Sequence, residues 1–333
     1  MRAASIQNSF GYDNLHWSEA PSPIAGPGQV RIRVRAASIN YRDFLVVTGK
    51  YNPRMPLPRV ILSDAAGEVL ELGEGVTRFS IGDRVAGIFM QSWLAGPYLD
   101  SYGTSALGGA IDGVLAEEIV LNEDGLVAIP PHLNYEQAAT LPCAATTAWN
   151  ALYETGSLKP GETVVVQGSG GVSLFALQFA KIGGARVIAT SSKAEKIERL
   201  KTHGADWVLN YKESPDWGKQ IAKAGGADHV IEVGGVGTLE QSLIALRGGG
   251  RVNVIGVLDG IQGQLNIAPI FHKTITAQGI YVGSRTMFEH MNAAIALNKI
   301  EPVIDRVFPA AEIKEALRYM ESAGHFGKIV VRL

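Results

Sequence analysis

Ten residues near the middle of the chain restrict its fold more than any others: Val164-Val165-Val166-Gln167-Gly168-Ser169-Gly170-Gly171-Val172-Ser173. An apolar strand runs into a glycine cluster, and the cluster opens an amphipathic helix. Gly168 permits a tight turn, Gly170 lets backbone N–H groups approach a pyrophosphate, and the helix N-terminus supplies positive partial charge. The third glycine of a G-x-G-x-x-G fingerprint would fall at 173, where Ser173 stands. Such a fingerprint is weak alone. Here it starts a regular alternation, with strands predicted at 163–167, 186–190, 207–210, 229–233, 251–255 and 275–282. Helices are predicted between them at 172–182, 194–202, 214–224 and 238–246. That alternation predicts an α/β unit, a Rossmann-type doubly wound parallel sheet that binds a dinucleotide.

The rest of the chain has another texture. Residues 1–128 read as short β-like runs broken by Gly and Pro, with 30–35 alternating apolar and charged and further strands at 65–73 and 84–88. Few helical stretches intervene, which predicts an antiparallel barrel or sandwich. The character changes near Pro130-Pro131, and the last stretch carries a helix at 311–322 and a strand at 328–333. A terminal strand returning to the first sheet makes that domain discontinuous, so the expected division is 1–128 with 284–333, and 129–283. Apolar residues are 46% of the chain and charged residues 19%, the balance of a well-buried globular protein. The single cysteine excludes an internal disulfide and a structural zinc site of three or four thiolates. A net charge of -2 gives no reason to expect nucleic acid or an anionic membrane as partner. With no signal-like segment and no long uncharged apolar run, a cytoplasmic location is expected.

The end of the second predicted strand selects the dinucleotide. An acidic residue there binds the ribose 2′-hydroxyl of NAD and repels a 2′-phosphate. This chain instead has Ser191, Ser192 and Lys193, with Lys196 one turn on, and Asn210-Tyr211-Lys212 closes the next strand. Hydroxyls and ammonium groups suit a phosphate, so NADP(H) is the expected cofactor. The candidate binding set is Gly168, Ser169, Gly170, Gly171, Val172, Ser191, Ser192, Lys193 and Tyr211, completed by Thr147, Gly234, Gly256 and Lys328. A hydrolase reading of Ser169 fails because Gln167 stands where the G-x-S-x-G elbow needs glycine.

A mid-chain glycine turn inside a split β-rich domain resembles the medium-chain dehydrogenase/reductase superfamily over essentially the whole chain. Asn40-Tyr41-Arg42-Asp43 with Gly49-Lys50-Tyr51 is similar to the N-x-x-D…G-x-Y segment of its quinone oxidoreductase branch. Ser63-Asp64-Ala65-Ala66-Gly67-Glu68-Val69 is similar to the D-x-x-G-x-V strand, 141–149 to the helix joining the domains, and Gly327-Lys328-Ile329-Val330 to the closing strand. The resemblance implies a GroES-like β-rich catalytic domain beside the nucleotide-binding one. It also raises zinc, because the superfamily contains zinc alcohol dehydrogenases. Their catalytic ligand positions match Asn40, Ser63 and Cys143, and 90–114, where a structural zinc would lie, has no cysteine. Zinc wants three N/S ligands and an open fourth position, so no metal is expected.

Without a Lewis acid, hydride transfer favours acceptors that spread the incoming charge over a conjugated system. The expected reaction is hydride transfer from NADPH to a quinone or another conjugated carbonyl or alkene. A zinc-free alcohol or aldehyde oxidoreductase and a non-catalytic NADPH-binding regulatory protein are the alternatives. The resemblance implies Tyr51 as hydrogen-bond donor to the substrate. Asn40 is expected to orient the substrate oxygen, and Asp43, like Asp64, either relays protons or holds its loop. Cys143 is expected to be a small buried residue. The arginine often found two residues before the glycine of the Tyr51 loop is absent, Val47-Thr48-Gly49 standing there. Residues 89–113 are expected either to line the substrate cleft with Trp93 and Tyr98 or to pack on the barrel. The last predicted strand, an unpaired sheet edge, is expected to pair with its symmetry mate in a homodimer.

Overall fold

The computed structural model describes all 333 residues. The chain forms two units, Met1–Thr146 with Gly283–Leu333, and Thr147–Val282. Residues 129–146, expected in the second unit, cluster with the first. Arg84 reaches across to the carbonyls of Pro131 and Leu133, and Cys143 N–H donates to Asp64 Oδ2 at 3.0 Å.

The second unit holds a six-stranded parallel sheet. Its spatial order is Trp207–Asn210, Arg186–Ser191, Thr163–Gln167, Ala227–Glu232, Leu246–Val254, Thr276–Gly279. Val164, Val165 and Val166 are all buried, as a strand covered on both faces requires. Val165, Ile188, Val230 and Val252 pack with Trp217, Ile221 and Leu243 from the helices Trp217–Lys223 and Val236–Ala245. The strand order reverses at Thr163–Gln167, and ligands bind such sheets beyond the carboxyl ends of the strands at that point. The sixth strand is shorter than predicted because Val282 takes a left-handed φ of 57° and gives its carbonyl to Asn150 Nδ2 at 2.8 Å.

The first unit is built on a seven-stranded sheet. Its spatial order runs Ile304–Pro309, Lys328–Arg332, Gln29–Ile39, Asp64–Leu72, Arg84–Gly87, Leu126–Ala128, and Glu118–Asn122 also pairs with Gln29–Ile39. The closing strand does return: Ile329 lies opposite Ile39 in an antiparallel ladder. A smaller sheet joins Leu15–Glu19, Arg2–Ile6 and Arg59–Val60. Among the elements the sequence pattern did not show are the strands Arg2–Ile6, Leu15–Glu19 and Ile304–Pro309 and the helix Arg285–Asn298. The segment 89–113 packs on its own unit. Trp93 is 2% exposed, stacks on Tyr102 at 5.8 Å, and meets Tyr98 edge-on at 5.4 Å. Its carbonyl takes the N–H of Arg285, so Trp93 belongs to a core and not to a cleft wall. No helix is long and apolar enough to cross a membrane.

Candidate active site

Gly168 leaves its strand with φ 69° while its N–H bonds the Thr190 carbonyl at 2.8 Å. A Cβ built on Gly168 or on Gly170 would meet nothing within 4 Å, so both turns present open backbone. The helix Gly171–Ile182 begins at Gly170 without a side-chain cap, leaving its first N–H groups to a ligand. Ser173, at the third-glycine position, turns inward and donates to the Gln167 carbonyl at 2.6 Å. Helix and strand are therefore joined by a hydrogen bond where the fingerprint uses close contact. This cradle, with Ser169 buried and Val172 half-buried beside it, fits a pyrophosphate.

Ser191 ends its strand opposite Asn210, and its carbonyl accepts the Tyr211 N–H at 3.1 Å. Ser192, Lys193 and Tyr211 lie at the same carboxyl ends, with Lys193 and Tyr211 exposed. Gly234 and Gly256 sit on the loops after the next two strands and are tightly packed. A Cβ at Gly256 would come within 2.3 Å of the Val233 carbonyl, and one at Gly234 within 2.2 Å of Thr238 Oγ1. Thr147 is buried on the short helix Thr146–Trp149.

The first unit gathers its predicted polar residues into a buried knot. Lys328 Nζ donates to Asn40 Oδ1 at 2.6 Å and to the Ile39 carbonyl at 2.9 Å. Asn40 Nδ2 faces Ser63 Oγ at 3.4 Å, and Ser63 Oγ donates to Asp64 Oδ1 at 2.6 Å. Asp43 Oδ2 accepts the Asn40 N–H at 2.8 Å. Asp43 is 1% exposed, and burial pushes its carboxyl up to about 6 against the downward pull of the Arg42 guanidinium. Asp43 and Asp64 thus hold backbone: one fixes the start of the helix Tyr41–Val47, the other pins Cys143. Lys328 belongs to this knot, its ammonium engaged by Asn40 and Ile39.

Tyr51 stands apart from the knot and is 41% exposed. The link is Arg42, whose guanidinium lies 5.3 Å from the Tyr51 ring and 4.7 Å from that of Phe89. Its Nη2 donates to the Leu107 carbonyl at 2.7 Å, and Nη1 lies 3.5 Å from Asp43 Oδ1. Tyr51 is therefore a solvent-facing phenol braced from beneath.

Zinc does not fit here. Asn40 and Ser63 offer an amide and a hydroxyl, and Asn40 Oδ1 already faces the Lys328 ammonium, which repels a second cation. Burial, seconded by the charge of Asp64, pushes the Cys143 thiol well above its ordinary range, and one thiol beside an amide and a hydroxyl falls short of a zinc ligand set. Nowhere do three His, Cys, Asp or Glu side chains lie where they could hold a metal ion.

Sequence reading missed Arg42 as a brace and missed a second buried cluster at Gln167, Glu232 and Ser242. Its only signal was a polar residue closing each of two apolar strands, Val166-Gln167 and Ile231-Glu232.

Comparison with known proteins gives two family matches. One, described as an alcohol dehydrogenase GroES-like domain, covers residues 26–131, and the other, described as a zinc-binding dehydrogenase, covers 171–297. A zinc-type alcohol dehydrogenase-like protein of Schizosaccharomyces pombe is 42% identical over 97% of this chain and 96% of its own. An acryloyl-coenzyme A reductase of Metallosphaera sedula is 33% identical over 94% of this chain and 95% of its own. Among solved structures, a putative alcohol dehydrogenase from Sinorhizobium meliloti superposes with TM-score 0.93 at 42% identity, covering 100% of this chain and 98% of that one.

Proposed function

The chain belongs to the medium-chain alcohol dehydrogenase superfamily, and within it we propose a metal-independent, NADPH-dependent reductase of quinones or other conjugated carbonyls and alkenes. It is an oxidoreductase built on a pyridine-nucleotide-dependent fold. The observation that carries the finer reading is the knot in which Lys328, and no metal-ligand set, faces Asn40. A reduced nicotinamide, when bound, supplies a hydride to carbon. The open backbone of Gly168, Ser169, Gly170, Gly171 and Val172 holds the pyrophosphate, and Ser191, Ser192, Lys193 and Tyr211 take the 2′-phosphate. Gly234 and Gly256 shape the neighbouring loops by close packing, and Thr147 completes the nucleotide side.

On the substrate side Tyr51 donates a hydrogen bond to the acceptor oxygen. Asn40, its amide oxygen fixed by Lys328, keeps Nδ2 as the second donor. Neither is a strong acid, which suits a substrate that delocalises the arriving electron pair. The similarity to an acryloyl-coenzyme A reductase supports an activated alkene over a simple ketone. Asp43 is a positioning residue, and Lys328 acts through Asn40. We also propose a homodimer through Thr276–Gly279, because Ala277 and Gly279 are exposed on the sheet edge and Ile267, Phe271 and Tyr281 expose apolar surface nearby.

The test is NADPH oxidation with a quinone, an enone and a saturated aldehyde, run beside metal analysis of untreated protein. Turnover of the first two without the third, insensitive to chelators, is expected. One bound zinc per chain with a preference for the aldehyde would overturn the proposal.

A further inference from the structure

Beneath the glycine turn lies a polar cluster that touches no surface. Gln167 is the last residue of its strand before Gly168, and Glu232 is the last of the neighbouring strand before Val233-Gly234-Gly235. Glu232 is fully buried, yet no cation pairs with it. Five donors satisfy it instead. Oε1 accepts the N–H groups of Gly234 at 2.8 Å and Gly235 at 2.9 Å and the Thr238 hydroxyl at 2.5 Å. Oε2 accepts Gln167 Nε2 at 2.7 Å and the Ser242 hydroxyl. Gln167 Nε2 also donates to Ser242 Oγ at 2.7 Å, while its Oε1 accepts the N–H of Val233 at 3.1 Å and of Gly234 at 3.3 Å.

The donors and acceptors in this cluster have one consistent assignment. Gln167 Oε1 faces N–H groups and must be the oxygen, so Nε2 must face the carboxylate. A carboxylate only accepts, so the Ser242 proton points to it. An uncompensated buried carboxylate costs several kcal/mol, and an apolar filling of the same space would avoid that cost. The charge returns a fixed geometry: the end of the Gln167 strand, where the glycine turn begins, and the 233–235 loop are tied to a single oxygen pair.

We propose that Gln167, Glu232 and Ser242 form a polarity-locked triangle that positions the glycine turn and the 233–235 loop for the dinucleotide. The inference rests on the dinucleotide-binding reading above and assigns these three as positioning residues, none of them touching the ligand.

Inverting the triangle tests it. In Glu232→Gln an amide N–H must face either the Gln167 amide or the loop N–H groups, and in Gln167→Glu two carboxylates face each other. In the double variant, Gln167→Glu with Glu232→Gln, every bond re-forms: those among positions 167, 232 and 242 reverse polarity and those to the loop N–H groups keep theirs. The carboxylate placed at position 167 then accepts from the loop, from the new amide and from Ser242. The amide placed at position 232 keeps its oxygen toward Gly234 and Gly235. NADPH affinity, read by fluorescence titration of full-length protein, is expected to weaken about tenfold or more in each single variant. In the double variant it should return to within about threefold of the starting protein.

Single variants that stay folded and bind NADPH normally would overturn the inference, as would a double variant no better than the worse single. A double variant that recovers melting temperature without recovering NADPH affinity would show a structural cluster only, and would also overturn it. Should a single variant fail to fold, the double variant decides alone by the same two readouts. If the unaltered protein binds neither NADPH nor NADH, the dinucleotide reading itself falls and takes the inference with it.

Discussion

Asp43 offers a quantitative test of the knot, because its carboxyl titrates near 6 in the folded chain against an ordinary value of 3.8. Below 3.8 both folded and unfolded chains hold the proton, and the group costs nothing. Between 3.8 and 6 the unfolded chain ionises while the folded one does not, so stability falls as pH rises. Above 6 both are ionised and the loss levels off. At 1.36 kcal/mol per pH unit the full loss is about 3 kcal/mol, of which about 2 kcal/mol falls between pH 4.5 and 7.5. Asp43→Asn keeps an oxygen for the Asn40 N–H and has no proton to lose. Its stability relative to the unaltered protein should therefore rise by about 2 kcal/mol over that range. For a unit of about 200 residues this moves the difference in melting temperature by about 4–8 °C in favour of the variant. Taking the difference between two melts at each pH cancels every other titrating group. A flat or falling difference would refute the buried-carboxylate account. Turnover within about fivefold of the unaltered protein is expected at saturating substrate, and a loss of several hundredfold would make Asp43 catalytic after all.

Tyr51→Phe deletes one hydroxyl from an exposed ring, and kcat/KM for a conjugated acceptor should fall about tenfold with the KM for NADPH unchanged. An unchanged rate would remove Tyr51 from the substrate. Lys193→Glu sets a carboxylate beside the expected 2′-phosphate, so the KM for NADPH should rise about tenfold or more while that for NADH stays put. Equal effects on both cofactors would refute the NADP(H) assignment. Light scattering should give about twice the chain mass of 35.5 kDa. A monomer at micromolar concentration would rule out the edge-strand dimer.

The parallel sheet was legible because its information is local. Thr163–Gln167, Trp207–Asn210 and Ala194–Thr202 form where the pattern places them, since a run of valines or an amphipathic helical period declares itself within a few residues. The strand Ile304–Pro309 did not declare itself. It is a partly exposed edge strand ending in proline, and its partner Lys328–Arg332 lies beyond an intervening helix. Arg2–Ile6 is buried at four consecutive positions and therefore shows no alternation. The helix Arg285–Asn298 did carry a signal: Phe288, Met291, Asn292 and Ile295 are its buried face, but Asn292 and a fully exposed flank with Leu297 blur the stripe. In the site, residue types were readable and partners were not. Lys328 and Asn40 are 288 positions apart, Gln167 and Glu232 are 65, and no local pattern encodes such pairings.

The knot around Asn40 shows how this fold fills the positions that family resemblance matches to zinc ligands. An amide, a hydroxyl and a thiol stand where three metal ligands are expected by family resemblance, and such a set would bury polar groups at a cost unless each found a partner. The amide and the hydroxyl do find one within the unit. Lys328 supplies the cation and takes Asn40 Oδ1, Ser63 gives its proton to Asp64, and Asp64 accepts the Cys143 N–H. Two carboxylates, Asp43 and Asp64, accompany the ammonium of Lys328 and the guanidinium of Arg42, so the charges also balance. An ammonium, unlike a divalent metal with an open position, has no vacant orbital to offer a carbonyl oxygen, and here its protons reach Asn40 and the backbone of Ile39. On the proposed function, stabilisation of developing negative charge falls to neutral donors, Tyr51 and the Asn40 amide, which are weaker than a metal. That weakness is the reason for proposing an acceptor that spreads the charge itself, as a quinone or an activated alkene does and a saturated aldehyde does not.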